Sequence, residues 1–373
     1  MTSSNPGSSP QIKLAFLTLD FYPQVGGVQN YLFEISRRLG RNFNVLVITP
    51  EQGSLPPHTP LQKIAPAAPH ALGFWQTLRN HQPDVVIVGH AHPQLLLAAT
   101  LYRRGRYAAI TYGNDYLAAQ KRWHRLLFNQ LLRQANPLMT ISAANVERLE
   151  ALDLCPTAVI HPGTDPQRFY PPPTRSQNAL TLLTVARLVP RKGIDTLLRL
   201  LPQFLAGYPQ LTYQIVGDGP DKPRLRQLCR ELDVESHVQF LGKVSDDALP
   251  QIYRKADVFV MLTREEAQQT SVEGFGIVYL EASASGLPIV ATRCGGVADA
   301  VRDGVTGLLV PPDAPEAAQQ AIARLLADAE LRASLGRAGR RLVEEELNWD
   351  QTAVHFQSAI TAVLPAYPPK PAA

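Results

Sequence analysis

Two glutamates, Glu273 and Glu281, stand eight positions apart in the stretch EGFGIVYLEASASG, residues 273–286. Gly274 and Gly276 remove side chains on either side of Phe275, so backbone N–H groups there can approach a ligand closely. A helix beginning near Val278 points its own free N–H groups at the same place. Earlier in the chain, Arg187 is followed by Leu-Val-Pro and then by Arg191 and Lys192, just before the segment IDTLLRLLPQF. Cations at a helix N-terminus oppose the helix dipole unless an anion comes between them. A phosphate resolves that conflict, because helix N-termini bind phosphates readily. Carboxylates that accept from hydroxyls, beside donors that hold phosphates, suit a nucleotide sugar, with its ribose hydroxyls, diphosphate and hexose hydroxyls. Plainer uses exist. The cations could be solvated loop charges, and Glu281, in the first turn of its helix, could serve as capping chemistry. Glu273 precedes the turn and has no such alternative.

These residues need a scaffold that brings strand ends and helix starts together. KLAFLTL (13–19), NVLVIT (44–49), DVVIVG (84–89), YAAITY (107–112) and PLMTI (137–141) are short apolar runs, each followed by a longer segment. The rhythm resumes with LTLLTVA (180–186), LTYQIVG (211–217), HVQFLG (237–242), ADVFVML (256–262) and LPIVAT (287–292). Runs apolar on both faces predict parallel strands between helix layers. The Pro-rich PPPTRSQN (171–178) reads as a linker between the two series. The expectation is an α/β chain of two doubly wound Rossmann-like domains facing one another across a cleft. The expected bounds are residues 1–170 and 171–348, with a final helix and tail over 349–373. In such sheets ligands bind beyond the carboxyl ends of the strands, where Arg187, Lys192 and the Gly-Phe-Gly turn fall. No GxGxxG follows the early strands, which argues against a dinucleotide oxidoreductase.

Composition narrows the class further. A chain of 373 residues with 45% hydrophobic and 18% charged residues is globular, with core enough for two domains. The net charge of +4 is uneven: residues 1–168 hold fifteen Lys+Arg against nine acids, and the remainder twenty-one against twenty-three. Cys155, Cys229 and Cys294 are widely spaced, odd in number and without metal-type spacing, which fits a reducing compartment. The polar start MTSSNPGSSP carries no apolar signal core, and no run approaches the ~20 apolar residues of a spanning helix. A cytoplasmic location, with room for peripheral association on the inner membrane face, is the expectation.

Longer motifs carry a family resemblance across nearly the whole chain. They are FYPQVGGVQNYLFEISRRL (21–39), TYGND (111–115), HPGTDPQRF (161–169), VARLVPRKG (185–193), VGDGP (216–220), LGKV (241–244) and the long block from Glu273 to Val310. In these the chain resembles the retaining GT-B glycosyltransferases of family 4, most closely those of the phosphatidylinositol-mannosyltransferase type. The resemblance implies that Arg187 and Lys192 neutralise the donor diphosphate, that Glu273 contacts the donor hexose and that Glu281 contacts the ribose. It implies that the N–H groups of Gly274, Phe275, Gly276, Ile277 and Val278 line the sugar and phosphate sites. By the same resemblance Lys243 and Val244, after Gly242, lie beside the base, and Gly26 and Gly27 pass close to the diphosphate and close the cleft. The last helix would cross back to the first domain. Arg187, Lys192 and Glu273 are then the candidate catalytic residues, with a nucleoside-diphosphate sugar as co-substrate. No cofactor is expected, and Arg and Lys stand in place of an obligatory metal.

One position departs from the family pattern. Many relatives carry histidine in His-Gly-X-Asp/Glu where this chain has Tyr112, before Gly113 and Asp115. Tyr112 offers a hydroxyl but no imidazolium charge. His90 and His92, after the strand DVVIVG, are candidates to substitute, against the plainer reading of strand-end histidines as structural. Asp115 either places acceptor or donor sugar, or caps the following helix.

The acceptor side is marked by a basic segment, residues 103–133, with seven Lys+Arg against one acid. Within it, 117–134 places Trp123, Leu127, Phe128 and Leu131 near one helical face, with Lys121, Arg122, Arg125 and Arg133 alongside. This reads either as an interfacial helix for anionic lipid or as a helix packing its apolar stripe on the sheet. The expected partners are a nucleotide sugar, a hydroxyl acceptor of lipid or glycan type and an anionic membrane surface, with no nucleic acid. A GT-B-fold epimerase or phosphorylase, and a catalytically silent sugar-nucleotide-binding subunit, are the competing classes.

Overall fold

A computed structural model describes residues 12–24, 26–103, 107–115, 125–173, 180–264 and 273–363. The chain divides into two compact units, Met1–Ile160 with Thr352–Ala373, and His161–Gln351.

The first unit runs β1 (Lys13–Leu17), α1 (Gly27–Leu39), β2 (Asn44–Ile48), β3 (Gln62–Ile64), α2 (Ala71–His81), β4 (Val85–Val88), α3 (Pro93–Arg103), β5 (Tyr107–Thr111), α4 (Arg125–Arg133), β6 (Ala135–Thr140), α5 (Ala143–Glu150) and β7 (Ala158–Val159). Its seven strands lie in the order β3-β2-β1-β4-β5-β6-β7. Their pairings are parallel, as in Leu17 opposite both Ile48 and Val88. The central strands are buried on both faces, which is why they read as unbroken apolar runs.

The second unit runs β8 (Thr181–Val185), α6 (Ile194–Leu205), β9 (Thr212–Val216), α7 (Lys222–Glu231), β10 (Val238–Gly242), α8 (Leu249–Lys255), β11 (Val258–Met261), α9 (Ile277–Ala284), β12 (Ile289–Thr292), α10 (Val297–Ala300), β13 (Gly307–Val310), α11 (Pro315–Ala327) and α12 (Ala329–Glu345). Its six parallel strands lie in the order β10-β9-β8-β11-β12-β13. Helix α6 buries Leu197, Leu198, Leu200, Leu201 and Phe204 in this unit's core. Each such side chain contributes about 1.5–3 kcal/mol on leaving water, so the loop ahead of α6 is anchored firmly from behind.

A last helix, α13 (Trp349–Val363), belongs from Thr352 onward to the first unit, where Phe356 is fully buried and stacks on Phe16 at 6.0 Å. The expected boundary at residue 170 moves back to residue 160. Within the second unit Thr164 bridges to Asn348, and Arg340 donates to the carbonyls of Pro166, Phe169 and Ala284. Packing therefore commits 161–170 before the Pro-rich stretch begins. Among the described residues no helix is long and apolar enough to cross a membrane.

Candidate active site

In each sheet the strand order reverses direction once, beside β1 and β4 in the first unit and beside β8 and β11 in the second. Loops at the carboxyl ends of such strand pairs are where open α/β sheets hold ligands.

In the second unit the loop after β8 carries Arg187, then a single 3-10 turn over Pro190–Lys192 that ends on Gly193. Gly193 has φ 65°, and a Cβ there would lie 1.8 Å from the carbonyl oxygen of Leu262 after β11. Only glycine lets the two strand-end loops touch. The amide of Arg264 donates to the Arg191 carbonyl at 2.7 Å, and its guanidinium donates to Asp195 Oδ1 at 2.9 Å, fastening the loops further. Lys192 is thereby held 8% exposed, unusual for lysine.

Its partner is Glu273. The Lys192 Nζ stands 2.5 Å from Glu273 Oε2, and Arg191 Nη1 stands 3.1 Å from the same oxygen. Burial alone would raise the Glu273 pKa, but Lys192 and then Arg191 outweigh it and hold the carboxyl below its ordinary range. Among the described residues Oε1 accepts no hydrogen bond. The Glu273 backbone is pinned from the other side by the Gly296 amide, which donates to its carbonyl at 2.9 Å.

Helix α9 follows directly. Gly276 at its N-cap has φ 91°, a left-handed value that glycine accommodates without strain. No side chain caps this end. Among the described residues the N–H groups of Gly274, Phe275, Gly276, Ile277 and Val278 donate to nothing. Five unengaged donors and a helix N-terminus next to two cations form a strongly anion-seeking surface. Phe275 is buried, its ring 5.4 Å from that of His161.

The expectation that Glu281 lies in the first turn of its helix is corrected. The helix starts at Ile277, so Glu281 is its fifth residue, and the first turn holds no acid. Capping therefore does not explain Glu281. Its Oε2 instead accepts from the Tyr253 hydroxyl at 2.8 Å. Burial pushes its pKa up to about 7, against the lowering effects of Tyr253 and Arg168. Tyr253 is itself fully buried on α8, edge-on to Phe169 at 5.6 Å. Spacing gave no hint of Tyr253 or Arg168 as neighbours of Glu281, because both come from other elements. The pairing of Arg191 with Glu273 also goes beyond the expected pair Arg187 and Lys192. Arg187 is exposed and, among the described residues, has no side-chain partner. Lys243, also exposed, and Val244 follow β10 on the loop after Gly242.

The candidates of the first unit lie at its own strand ends. Gly26 is the N-cap of α1, and Gly27, its first residue, has open space where a Cβ would be. After β5, the Asp115 carboxylate accepts from the amides of Tyr112 (3.1 Å), Gly113 (3.0 Å) and Ala91 (3.1 Å). It thus ties the loop after β5 to the loop after β4. Asn114 and Asp115 are themselves helical, so Asp115 stands inside the helix start and not at its N-cap, and residues 116–124 lie outside the described residues. Tyr112 is buried, edge-on to Tyr31 at 5.6 Å, and its hydroxyl has no partner among the described residues. His90 Nδ1 lies 3.3 Å from Thr18 Oγ1, and burial pushes its pKa down to about 4 despite Asp20. That burial favours the uncharged imidazole of His90 over the imidazolium.

The basic segment is corrected in part. Phe128 and Leu131 turn into the core with Leu132, while Leu126 and Leu127 are 74% and 57% exposed, so Leu127 does not share their face. Trp123, Lys121 and Arg122 lie outside the described residues.

Residues 168–342 match the family described as "Glycosyl transferases group 1", and residues 25–168 match "Glycosyltransferase Family 4". A GDP-mannose-dependent alpha-(1-6)-phosphatidylinositol monomannoside mannosyltransferase of Mycolicibacterium smegmatis is 32% identical over 362 residues, spanning 90% of this chain and 95% of the relative. The chain belongs to the group 1, family 4 glycosyltransferases. A Mycobacterium tuberculosis protein of the same description is 31% identical over 370 residues, covering 91% of this chain and 96% of that one. Among solved structures, a sucrose-phosphate synthase from Thermosynechococcus elongatus superposes with a TM-score of 0.80 at 23% identity, over 95% of this chain and all (100%) of the other. That likeness concerns the fold, GT-B. This family 4 glycosyltransferase thus carries both Rossmann-like units of its class.

Proposed function

We propose that this glycosyltransferase moves mannose from GDP-mannose, with retention of anomeric configuration, to a hydroxyl of a phosphatidylinositol-type glycolipid at an anionic membrane surface. The observation that carries the reading is the acid–cation pair beside free donors. Lys192 and Arg191 meet on Glu273, directly before five amides that donate to nothing among the described residues. The names of the two mycobacterial relatives support GDP-mannose and a mannosylated phosphatidylinositol.

In this reading Lys192, Arg187 and the amides of 274–278 take the diphosphate, Glu273 takes the hexose hydroxyls and Glu281 the ribose. Lys243 and Val244 lie beside the base. The bond from the anomeric carbon to the phosphate oxygen breaks as the acceptor oxygen bonds to that carbon from the same face. The acceptor proton leaves with the departing phosphate. Preorganised donors stabilise the charge that develops on that phosphate, each typically contributing ~10²–10³ in rate. Exposed Leu126 and Leu127 on α4, beside Arg125, suit the membrane side of the proposal.

The test is incubation with GDP-mannose and phosphatidylinositol mannoside in anionic vesicles, following GDP release and product anomeric configuration by NMR. An α-linked product with acceptor-dependent GDP release is expected. Binding of GDP-mannose without release in the presence of acceptor would favour the silent-subunit reading. A β-linked product would overturn retention.

A further inference from the structure

The oxygen that pairs with Lys192 belongs to the same carboxylate that is read as the hexose contact. One oxygen, Oε2, holds both cations, at 2.5 Å and 3.1 Å, while Oε1 accepts nothing among the described residues. The Glu273 and Lys192 side chains are each 10% exposed, so neither charge can rely on water when its partner is drawn away. Resting on the donor-site reading above, we infer that Glu273 is an internal stand-in for the donor diphosphate, and that competition for Lys192 makes the site select the intact sugar nucleotide over bare nucleoside diphosphate.

The argument follows from what each ligand offers in return. An arriving diphosphate competes for Lys192 and Arg191 and strips Glu273 of its compensation. An intact donor repays this with hexose hydroxyls, which are hydrogen-bond donors suited to Oε1 and to the released Oε2. A bare nucleoside diphosphate brings only phosphate oxygens, which are acceptors, and an extra negative charge that repels the carboxylate. The same imbalance appears after transfer: once the sugar has gone, Glu273 reclaims Lys192 and the product diphosphate leaves. Glu281 has no part in this exchange, because it is held by Tyr253 and its neighbours include no residue of the Arg191–Lys192 pair.

The experiment is calorimetry with GDP and with GDP-mannose on the full chain, comparing wild type, Glu273→Gln, Glu273→Asp and Glu281→Gln. Glu273→Gln should bind GDP about tenfold tighter than wild type, the scale of one charge-assisted hydrogen bond, and should not bind GDP-mannose tighter. Glu273→Asp, whose carboxylate is drawn back by one methylene, should shift the same ratio by a smaller factor, and it serves if the Gln variant does not fold. Glu281→Gln should weaken both ligands alike. If wild type binds both ligands and neither position-273 variant raises the preference for GDP, the stand-in role is overturned while the donor site stands. If wild type binds neither ligand, the donor-site reading falls and this inference with it.

Discussion

The two sheets end in loops of similar plan but opposite chemistry. At the carboxyl edge of the second sheet, donors are left unspent: five amides after Glu273 bond to nothing among the described residues, and two cations share one carboxylate oxygen. At the carboxyl edge of the first sheet the groups described above are engaged or buried. Asp115 spends its carboxylate on the amides of Ala91, Tyr112 and Gly113, burial favours the uncharged form of His90, and the Tyr112 hydroxyl is buried. The difference teaches that the second unit is preorganised for an anion. The first unit's strand-end acid, Asp115, braces two loops through the amides of Ala91, Tyr112 and Gly113.

The largest effect that would sharpen this contrast is at Glu273. Replacement by Gln should lower kcat for mannosyl transfer by about 10²–10³, the loss expected when a group facing developing charge is neutralised. Steady-state rates at saturating donor measure it. Because interactions stronger in the transition state appear in kcat, a rise in KM alone would break the assignment.

Asp115 should instead be felt in stability. Asp115→Ala strands three backbone donors, each costing about 1–3 kcal/mol when left unsatisfied and less where water replaces the carboxylate. Asp115→Asn keeps one acceptor oxygen and should lose less. Chemical denaturation of both variants checks the order. If Asp115→Asn were as stable as wild type yet inactive, the brace account would fail and a direct substrate role would replace it.

A smaller effect is the pH dependence of Glu281. Its folded pKa is raised to about 7, so the folded chain keeps a proton that the unfolded chain releases near the ordinary value of 4.5. Fold stability from this group therefore declines as pH rises from about 4.5 to 7, and stays level above that. Ribose hydroxyls donate to the ionised form, so guanosine-nucleotide affinity should rise as pH passes upward through about 7. Tyr253, Arg168 and Asp246 surround the group and stay in place in Glu281→Gln, which should lose this rise. Comparing wild type with Glu281→Gln cancels the titration of the phosphates themselves. Parallel pH curves would remove Glu281 from the ribose site.

The smallest effect concerns the surface of α4. Binding to anionic vesicles should weaken with added salt, as screened charge attraction does, and Leu126→Ser with Leu127→Ser should reduce it further. Sedimentation with anionic and neutral vesicles measures both, and equal, negligible binding to the two would contradict a membrane role for this face.

What was legible in the sequence follows from range. The Gly-Phe-Gly turn, the acids around it and the cations before α6 are local patterns, and apolar runs betray buried parallel strands. β3, β7 and β13 are not among the apolar runs: strands of three and two residues carry too little periodicity, and β13 has only four residues. Tyr253 reaches Glu281 from 28 positions away, on another helix, and no spacing rule connects them. Proline marks a loop, whereas the carbonyls held by Arg340 tie 161–170 to the second unit. The contact of Asp115 with Ala91 is hidden for the same reason: Ala91 sits on another strand's loop.

The central claim is that the buried lysine of the second unit exists to meet a phosphate. The most direct measurement is calorimetry of Lys192→Ala with GDP and with guanosine, beside wild type. In the variant Arg191 still holds Glu273, so a folded chain is expected, checked by circular dichroism. The account predicts that GDP affinity falls at least about tenfold, the scale of a charge-assisted hydrogen bond, while guanosine binding hardly changes. Unchanged GDP affinity in a folded Lys192→Ala variant would contradict it.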